Sequence, residues 1–584
     1  MKSLKYLNKF FIKYKYRLLL GFLFVAISNV LMMSQGEVIE RATNHFESFV
    51  SGKKSDQDFV SLSVLMVLLA VGSGIFMFLK RQFLIVLSRY IEADLKNEIY
   101  AHYQVLDLAF YKRNNTGDLM NRISEDVSKV RMYIGPAVMY LIDTFFTIST
   151  GLIYMYNKNS LLTLFVFLPL PILSIIIFRV SRLINKKSTV NQEHLSALTS
   201  NAQESFSGIR VIKSYNKESF FTKLFSMQAL EYRNAALSLA RTEAMFHPVI
   251  TFMIGLSLIS VIYVGGKLYI NNIIPAGTIT AAIFIVYKLT WPFASLGWTS
   301  SLIQRAAASQ KRINDFLETK PERNTNEGLS ISQINSIEFD RVEFVYPETG
   351  IKALQEVSFC IKENESVAII GHTGSGKSTI AQLLAGFYTP SKGSIKINGI
   401  PLEKINLHDL RAKMGYVPQE TFLFSDSIKN NISFGLLNHN IDEQEIIQAA
   451  KDAAVHDNII HFENGYDTIV GERGVTLSGG QKQRVSIARA IIGNPELLIF
   501  DDCLSAVDPE TEDQIVANLN KRTSRQLSIH ISHRISSIKH ANKIIFLRNG
   551  EISETGNHDE LLQKNGDYTE LYKLQQLETQ RTKP

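Results

Sequence analysis

Apolar and polar residues alternate on two different scales along this 584-residue chain. Before about residue 300 the apolar residues come in long runs, at 18–33, 59–79, 135–156, 161–180, 246–264 and 279–296. Each is close to the ~20 residues that a helix needs to cross a bilayer core. The pattern predicts six membrane-spanning helices. Segments 81–110 and 181–235 keep helical spacing (Phe83, Leu87, Ile91, Leu95; Val211, Ile212, Tyr215) with few breakers. The spans should therefore continue beyond the membrane as helices and meet in pairs at turns near 110–126 and 204–213. Helical periodicity resumes after 296 and runs to about Leu317. The stretch 318–336 is polar and reads as a linker. From Ile337 the period shortens to that of strands, at 337–346, 357–362 and 366–370, while 440–495 is helical. Asn398-Gly399 and Asn549-Gly550 mark hairpin turns. The expected organisation is a membrane domain over 1–317, a linker over 318–336, an α/β domain with an antiparallel β subdomain over 337–575, and a tail over 576–584.

Charge then sets the topology. Lys2, Lys5, Lys9, Lys13, Lys15 and Arg17 precede the first apolar run. A basic stretch before an apolar one also opens a signal peptide, but no small-x-small cleavage site follows and five more spans come after. Lys and Arg are dense in 80–131 and 179–241 and sparse in 35–58, 157–160 and 265–278. The positive-inside rule puts the N-terminus, both long loops and the C-terminus in the cytoplasm. The formal net charge of +7 is thereby explained by topology, and no nucleic-acid partner is expected. The two cysteines, Cys360 and Cys503, allow no disulfide framework or zinc spacing, which suits a reducing compartment.

The chemistry lies in the second half. An apolar strand-length run, 367–370, leads into Gly371-His372-Thr373-Gly374-Ser375-Gly376-Lys377-Ser378-Thr379, and an apolar-periodic helix follows. This is the P-loop pattern in its strand–loop–helix setting. Its backbone N–H groups turn around phosphate, with positive potential added by the helix N-terminus. Lys377 would reach the β- and γ-phosphates of ATP, and the Ser378 hydroxyl would ligate Mg²⁺. The apolar strand 497–500 ends in Asp501, a carboxylate placed to hold Mg²⁺ through water. About twenty residues earlier, Leu477-Ser478-Gly479-Gly480-Gln481 opens a helix and offers a second glycine-rich phosphate cradle. Tyr346 ends a strand and precedes Pro347, and His533 follows the β-rich run 527–532, where it could bond a γ-phosphate. His530, inside that run, reads as a packed residue.

Together these motifs make the chain similar to an ATP-binding cassette (ABC) exporter half-transporter over nearly its whole length. The resemblance implies a six-span α-helical membrane domain of ABC exporter type, fused to a P-loop nucleotide-binding domain. It also implies roles: 477–481 as the signature that meets the ATP of a partner, Tyr346 as the aromatic on adenine, and Gln419 as the glutamine sensing the γ-phosphate and Mg²⁺. Asp508 falls in the D-loop and His533 is the switch histidine. The turns at 110–126 and 204–213 match coupling helices, and Glu472 a loop that communicates with them. It further implies a dimer of half-transporters that exports or flips a lipophilic, lipid or peptide substrate by alternating access. A soluble ATPase of the DNA-repair type is excluded by the six spans, whereas an ATP-gated channel or a regulatory subunit would share the pattern.

Two departures carry expectations of their own. Asp143 and Lys288 are charges inside apolar spans, expected to face a central cavity as a pair or as substrate contacts. Asp502 stands where such exporters place the glutamate that orients the attacking water. Its shorter side chain withdraws the carboxylate by ~1.5 Å, and ~1 Å of misplacement costs about a hundredfold in rate. A heterodimer is therefore favoured over a homodimer, with Asp502 in a slow site and 477–481 completing a fast one.

Overall fold

The structure is a computed structural model that describes residues 2–50, 57–323, 327–436, 442–471, 474, 476–505, 507–523 and 526–582. The chain divides into two compact units, Met1–Gln104 with Gly117–Thr319, and Val105–Thr116 with Lys320–Pro584.

The first unit is built of helices because hydrocarbon offers no partner to an unpaired backbone amide. Among the described residues, six helices are long and apolar enough to span a membrane. They are α1 (Lys15–Val50), α2 (Gln57–Val105), α4 (Thr116–Lys158), α5 (Ser160–Ser207), α7 (Glu218–Ile270) and α8 (Ala276–Leu317). Between them lie two short helices at the turns, α3 (Leu108–Arg113) and α6 (Ile209–Ser214). Helix α8 is the most enclosed and packs on α1, α4, α5 and α7. Pro136 accompanies a π-type turn at Tyr133–Ala137 of α4, and another such turn occupies Arg122–Asp126. The second of these turns buries Asp126, whose carboxylate accepts from Ser309 Oγ at 2.8 Å and Arg312 Nε at 2.9 Å on α8.

The expected pairing of Asp143 with Lys288 is not made. Asp143 Oδ1 accepts from Lys80 Nζ at 2.6 Å and from Asn29 Nδ2 at 2.8 Å, and Asn29 in turn accepts from Thr147. Lys288 instead lies over the Phe284 ring on its own helix, 5.1 Å from the centroid. The reason is geometric. Helix α2 runs unbroken past Leu79, so Lys80 sits within a continuous helix and its long stem carries the ammonium to α4.

Among the described residues, the second unit contains two sheets. An antiparallel sheet has the order β2-β1-β4-β5, from Ser336–Val345 (β1), Lys352–Lys362 (β2), Lys392–Ile397 (β4) and Ile400–Pro401 (β5). The β4–β5 turn places Asn398 at φ 51° and Gly399 at φ 78°, the left-handed pair that an Asn-Gly hairpin demands. A six-stranded sheet has the order β10-β9-β3-β8-β7-β6. These strands are Ser366–Gly371 (β3), Met414–Val417 (β6), Leu497–Asp501 (β7), Leu527–Ile531 (β8), Lys543–Arg548 (β9) and Glu551–Gly556 (β10). All neighbours are parallel except the β9–β10 hairpin. Helix α9 (Lys377–Leu384) follows β3, and its Ile380, Leu383 and Leu384 close a core shared by both sheets. Helices α10 (Gly479–Ile491), α11 (Pro509–Thr523) and α12 (Asp567–Thr582) complete the frame used below.

Two boundaries differ from expectation. The first turn lies earlier than 110–126: α3 already begins at Leu108, and helix resumes at Thr116. The expected linker contributes Ile331 and Ile334 to the core of the second unit, since isolated apolar residues in a polar stretch give no periodic signal. Segment Val105–Thr116 also belongs to this unit. Ala109 is buried in its core, and Lys112 Nζ stands 5.2 Å from the ring centroids of both Tyr346 and Tyr388.

The buried pair in the first unit makes a prediction. Asp143→Ala leaves the Lys80 ammonium without its counter-charge and should destabilise the first unit by about 3 kcal/mol, the scale of a lysine inside a membrane helix. Lys80→Met combined with Asp143→Leu should restore most of the loss. Thermal unfolding of the variants in one detergent measures both.

Candidate functional site

The order of the parallel strands decides where a site can form. β3 runs between β8 and β9, and the carboxyl ends of β3, β7 and β8 open on one edge of the sheet, where α/β proteins bind ligands. The run Val367–Ile370 is wholly buried, as a central strand requires. The chain then turns sharply at glycines. A Cβ on Gly371 would meet the Leu547 carbonyl oxygen at 2.1 Å, and one on Gly376 the Ala353 oxygen at 2.4 Å. Gly376 also stands at φ 99°, in the left-handed region. His372, Thr373 and Gly374 are exposed at the tip of the loop, while Ser375 is buried.

Lys377 opens α9 and folds back into the loop, its Nζ donating to the carbonyls of Gly371 at 2.9 Å and His372 at 2.8 Å. Burial brings its ammonium down to about 8, against the opposing pull of Asp502 and Asp501. Ser378 Oγ donates to Asp501 Oδ1 at 2.7 Å, which joins the helix after the loop to the end of β7. Asp501 is raised from the ordinary carboxylate range by burial and then by Asp502, with Ser378, Lys377 and Tyr416 acting against it. Asp502 follows at φ 46°, its N–H held by the Ile531 carbonyl at 2.8 Å. Its Oδ2 lies 3.4 Å from Gln419 Nε2. His533 is half-buried, and its imidazole is lowered by burial and by Lys377, with Asp502 opposing. His530 is half-buried and stacked on Phe500, ring centroids 5.0 Å apart, and desolvation lowers it to about 4. It is a neutral packed residue.

Tyr346 is half-buried at the end of β1. Its hydroxyl is 2.9 Å from Thr379 Oγ1 and 3.3 Å from Gln382 Oε1, and its ring stands edge-on to Phe344 and Tyr388. It is therefore tied to the same helix that Lys377 opens. The stretch Leu477–Gln481 is arranged differently. Leu477 is buried as an anchor, and Ser478 and Gln481 cap α10 reciprocally, with N–H to oxygen distances of 2.9 and 3.3 Å. Ser478 and Gly479 face solvent. Asp508 is exposed and caps α11, accepting from the Thr511 N–H at 2.9 Å, a bond that holds its carboxyl below the ordinary range. Glu472 lies outside the described residues.

The fold thus gathers Lys377, Ser378, Asp501, Asp502, Gln419 and His533 around one sheet edge, with Tyr346 beside them. Tyr416 was not singled out in the sequence: its hydroxyl reaches Asp501 from β6. A lone tyrosine in a four-residue strand carries no signal until strand order is known. Whether a triphosphate and Mg²⁺ suit these residues can be judged from the loop itself. The Ser375 hydroxyl is buried with no hydrogen-bond partner among the described residues, and the buried ammonium is met by neutral carbonyls. Two carboxylates and a hydroxyl lie beside it. An oxygen-rich anion with a hard cation fits that donor set.

Known proteins of similar sequence and fold identify the family. Residues 18–293 match the family described as ABC transporter transmembrane region, and residues 354–505 match the family described as ABC transporter. The chain is 36% identical to the multidrug resistance-like ATP-binding protein MdlA of Escherichia coli, over 90% of each protein. It is 34% identical to a probable multidrug resistance ABC transporter ATP-binding/permease protein of Bacillus subtilis, YheI, over 84% of each. It is 31% identical to an ATP-dependent lipid A-core flippase of Syntrophus aciditrophicus, over 83% of this chain and 80% of that one. A solved bacterial Atm1-family ABC exporter with ATP bound superposes with a TM-score of 0.79 at 25% identity, covering 96% of this chain and 98% of that one. With a transmembrane region and an ATP-binding cassette fused in one chain, the protein belongs to the ABC transporter family as a half-transporter of the exporter type.

Proposed function

We propose that this chain is one half of a dimeric pump that uses ATP to export or flip a lipophilic or amphipathic substrate across the cytoplasmic membrane. The observation that carries the reading is the convergence of Lys377, the Ser378–Asp501 bond and the Gln419–Asp502 contact at one sheet edge of a six-span protein. The names of its relatives, a multidrug resistance-like protein and a lipid A-core flippase, point to substrates that partition into bilayers.

In this reading the loop Gly371–Thr379 holds the phosphates and Tyr346 stacks on adenine. Lys377 releases its two carbonyls to pair with the β- and γ-phosphates. Ser378, Asp501 and Gln419 would hold Mg²⁺, which neutralises charge on the phosphoryl group being transferred. Asp502 orients the attacking water, and His533 bonds the γ-phosphate. Residues 477–481 cover the ATP held by the partner, and Asp508 lies in the seam between cassettes. Closure of that seam on ATP favours an outward-facing state and hydrolysis restores the inward-facing one, a shift between two populations. Support for a dimer comes from the two turns. Ala109 of the first is buried in the core of the second unit, whereas Phe206, Val211 and Tyr215 around the second are exposed. An apolar surface of that kind suits the cassette of a partner.

Asp502 favours a partner that is not identical. Its left-handed backbone and its bond to Ile531 fix the start of the side chain. The carboxylate therefore reaches one methylene less far than glutamate would. This site retains ATP, and the signature of this chain completes the faster site on the partner.

Two measurements test the reading. Lys377→Ala should abolish tight ATP binding at this P-loop and leave membrane insertion intact, read by photolabelling with an ATP analogue; unchanged affinity removes the assignment. The chain purified alone should hydrolyse ATP slowly, and Asp502→Glu should raise turnover by about tenfold or more. Fast, substrate-stimulated hydrolysis with no gain from that substitution would favour a homodimer that works with aspartate.

A further inference from the structure

Helix α12 has no part in the chemistry so far. Its first turn is anchored: Tyr568 is fully buried with Ala368 and Ile370 of β3 and with Ile535 and Ile538 beyond β8. Asp567 is held by Arg548 at 2.8 Å and Ser553 at 2.7 Å. Two turns later the Gln575 side chain spans the loop that carries His533. Its Nε2 donates to the His533 carbonyl at 2.6 Å, and its Oε1 accepts from the Ile535 N–H at 2.9 Å. One amide thus fixes the backbone on both sides of Arg534. The guanidinium of Arg534 ties the same loop to the segment after Asp502, through the carbonyl of Ser505 at 3.2 Å and the carboxylate of Glu512 at 2.9 Å.

We infer that Gln575 is a positioning residue for hydrolysis, setting His533 against the γ-phosphate by clamping the backbone from which its imidazole projects. The inference rests on the role proposed above for His533. A side-chain amide is suited to the task because it satisfies one acceptor and one donor at a fixed separation. Neither alanine nor glutamate reproduces both bonds. Helix α12 also flanks the loop itself: a cleft of about 370 Å³ lies between Asp567, Glu570 and Leu574 on one side and His372–Ser375 on the other. Gln575 is the point beyond that cleft where the helix reaches the switch loop.

The test follows single-turnover ATP hydrolysis by the full-length chain in lipid nanodiscs. In Gln575→Ala the saturating rate should fall about tenfold, while the ATP concentration for half-saturation moves by less than about twofold. Gln575→Glu, which keeps the acceptor for Ile535 but loses the donor to His533, should also slow hydrolysis and serves if the alanine variant does not fold. Added to His533→Ala, the Gln575 substitutions should cause no further loss, because the two act as one unit. An equal additional loss in that background, or a wild-type rate in the single Gln575 variants, overturns the inference and leaves the role of His533 standing. A wild-type rate in His533→Ala instead removes the reading beneath it.

Discussion

A buried ammonium surrounded by neutral carbonyls is the constraint around which the second unit is arranged. Lys377 is taken out of water at the mouth of the loop, and its own hydrogen bonds do not neutralise it. The surroundings follow from that cost. Gly371 and Gly376 let the backbone close tightly enough to offer carbonyls, and β3 carries the loop to the middle of the sheet. β7 and β8 bring Asp501, Asp502 and His533 alongside. The result is a site in which added negative charge is favoured at one point and a cation at the next, a few ångströms away. Such a site is pre-organised rather than assembled by its ligand.

In the first unit the same accounting is done in hydrocarbon. Every span is helical because the backbone must satisfy itself, and polar side chains are drawn into closed groups. Lys80, Asn29, Asp143 and Thr147 form one group across three helices. Glu40, accepting from Tyr154 at 2.6 Å, Thr278 at 2.9 Å and Lys158 at 3.0 Å, forms another. These groups fix the rotation of helices whose apolar faces would slide past one another with little preference.

How legible the molecule is in its sequence depends on the range of each interaction. The six apolar helices and the Asn-Gly hairpins could be read directly, since length, hydropathy and left-handed turns are local properties. The P-loop residues are contiguous, so their gathering needed no knowledge of topology. The bond from Ser378 to Asp501 spans 123 residues and becomes visible only when β7 is placed two strands from β3, with β8 between them. Lys80 was hidden at the end of an apolar run, where a lysine reads as the edge of the membrane. Its pairing with Asp143 depends on helix rotation, which periodicity alone leaves open. Ile331 and Ile334 failed as signals for the opposite reason, being core residues without a repeating pattern around them. Gln575 offered nothing: its meaning lies in two backbone groups forty residues away.

The allocation of Val105–Thr116 to the second unit has a consequence for biosynthesis. The ribosome makes these residues early, yet the strands that bury Ala109 and the rings that Lys112 covers lie beyond residue 336. At about 5–20 residues per second, the segment waits on the order of tens of seconds for its partners to emerge. During that interval the turn between the second and third spans leaves Ala109 uncovered. A membrane region released without its cassette would keep that turn uncovered permanently. Quality control could therefore distinguish an unfinished transporter from a finished one by a dozen residues between two spans.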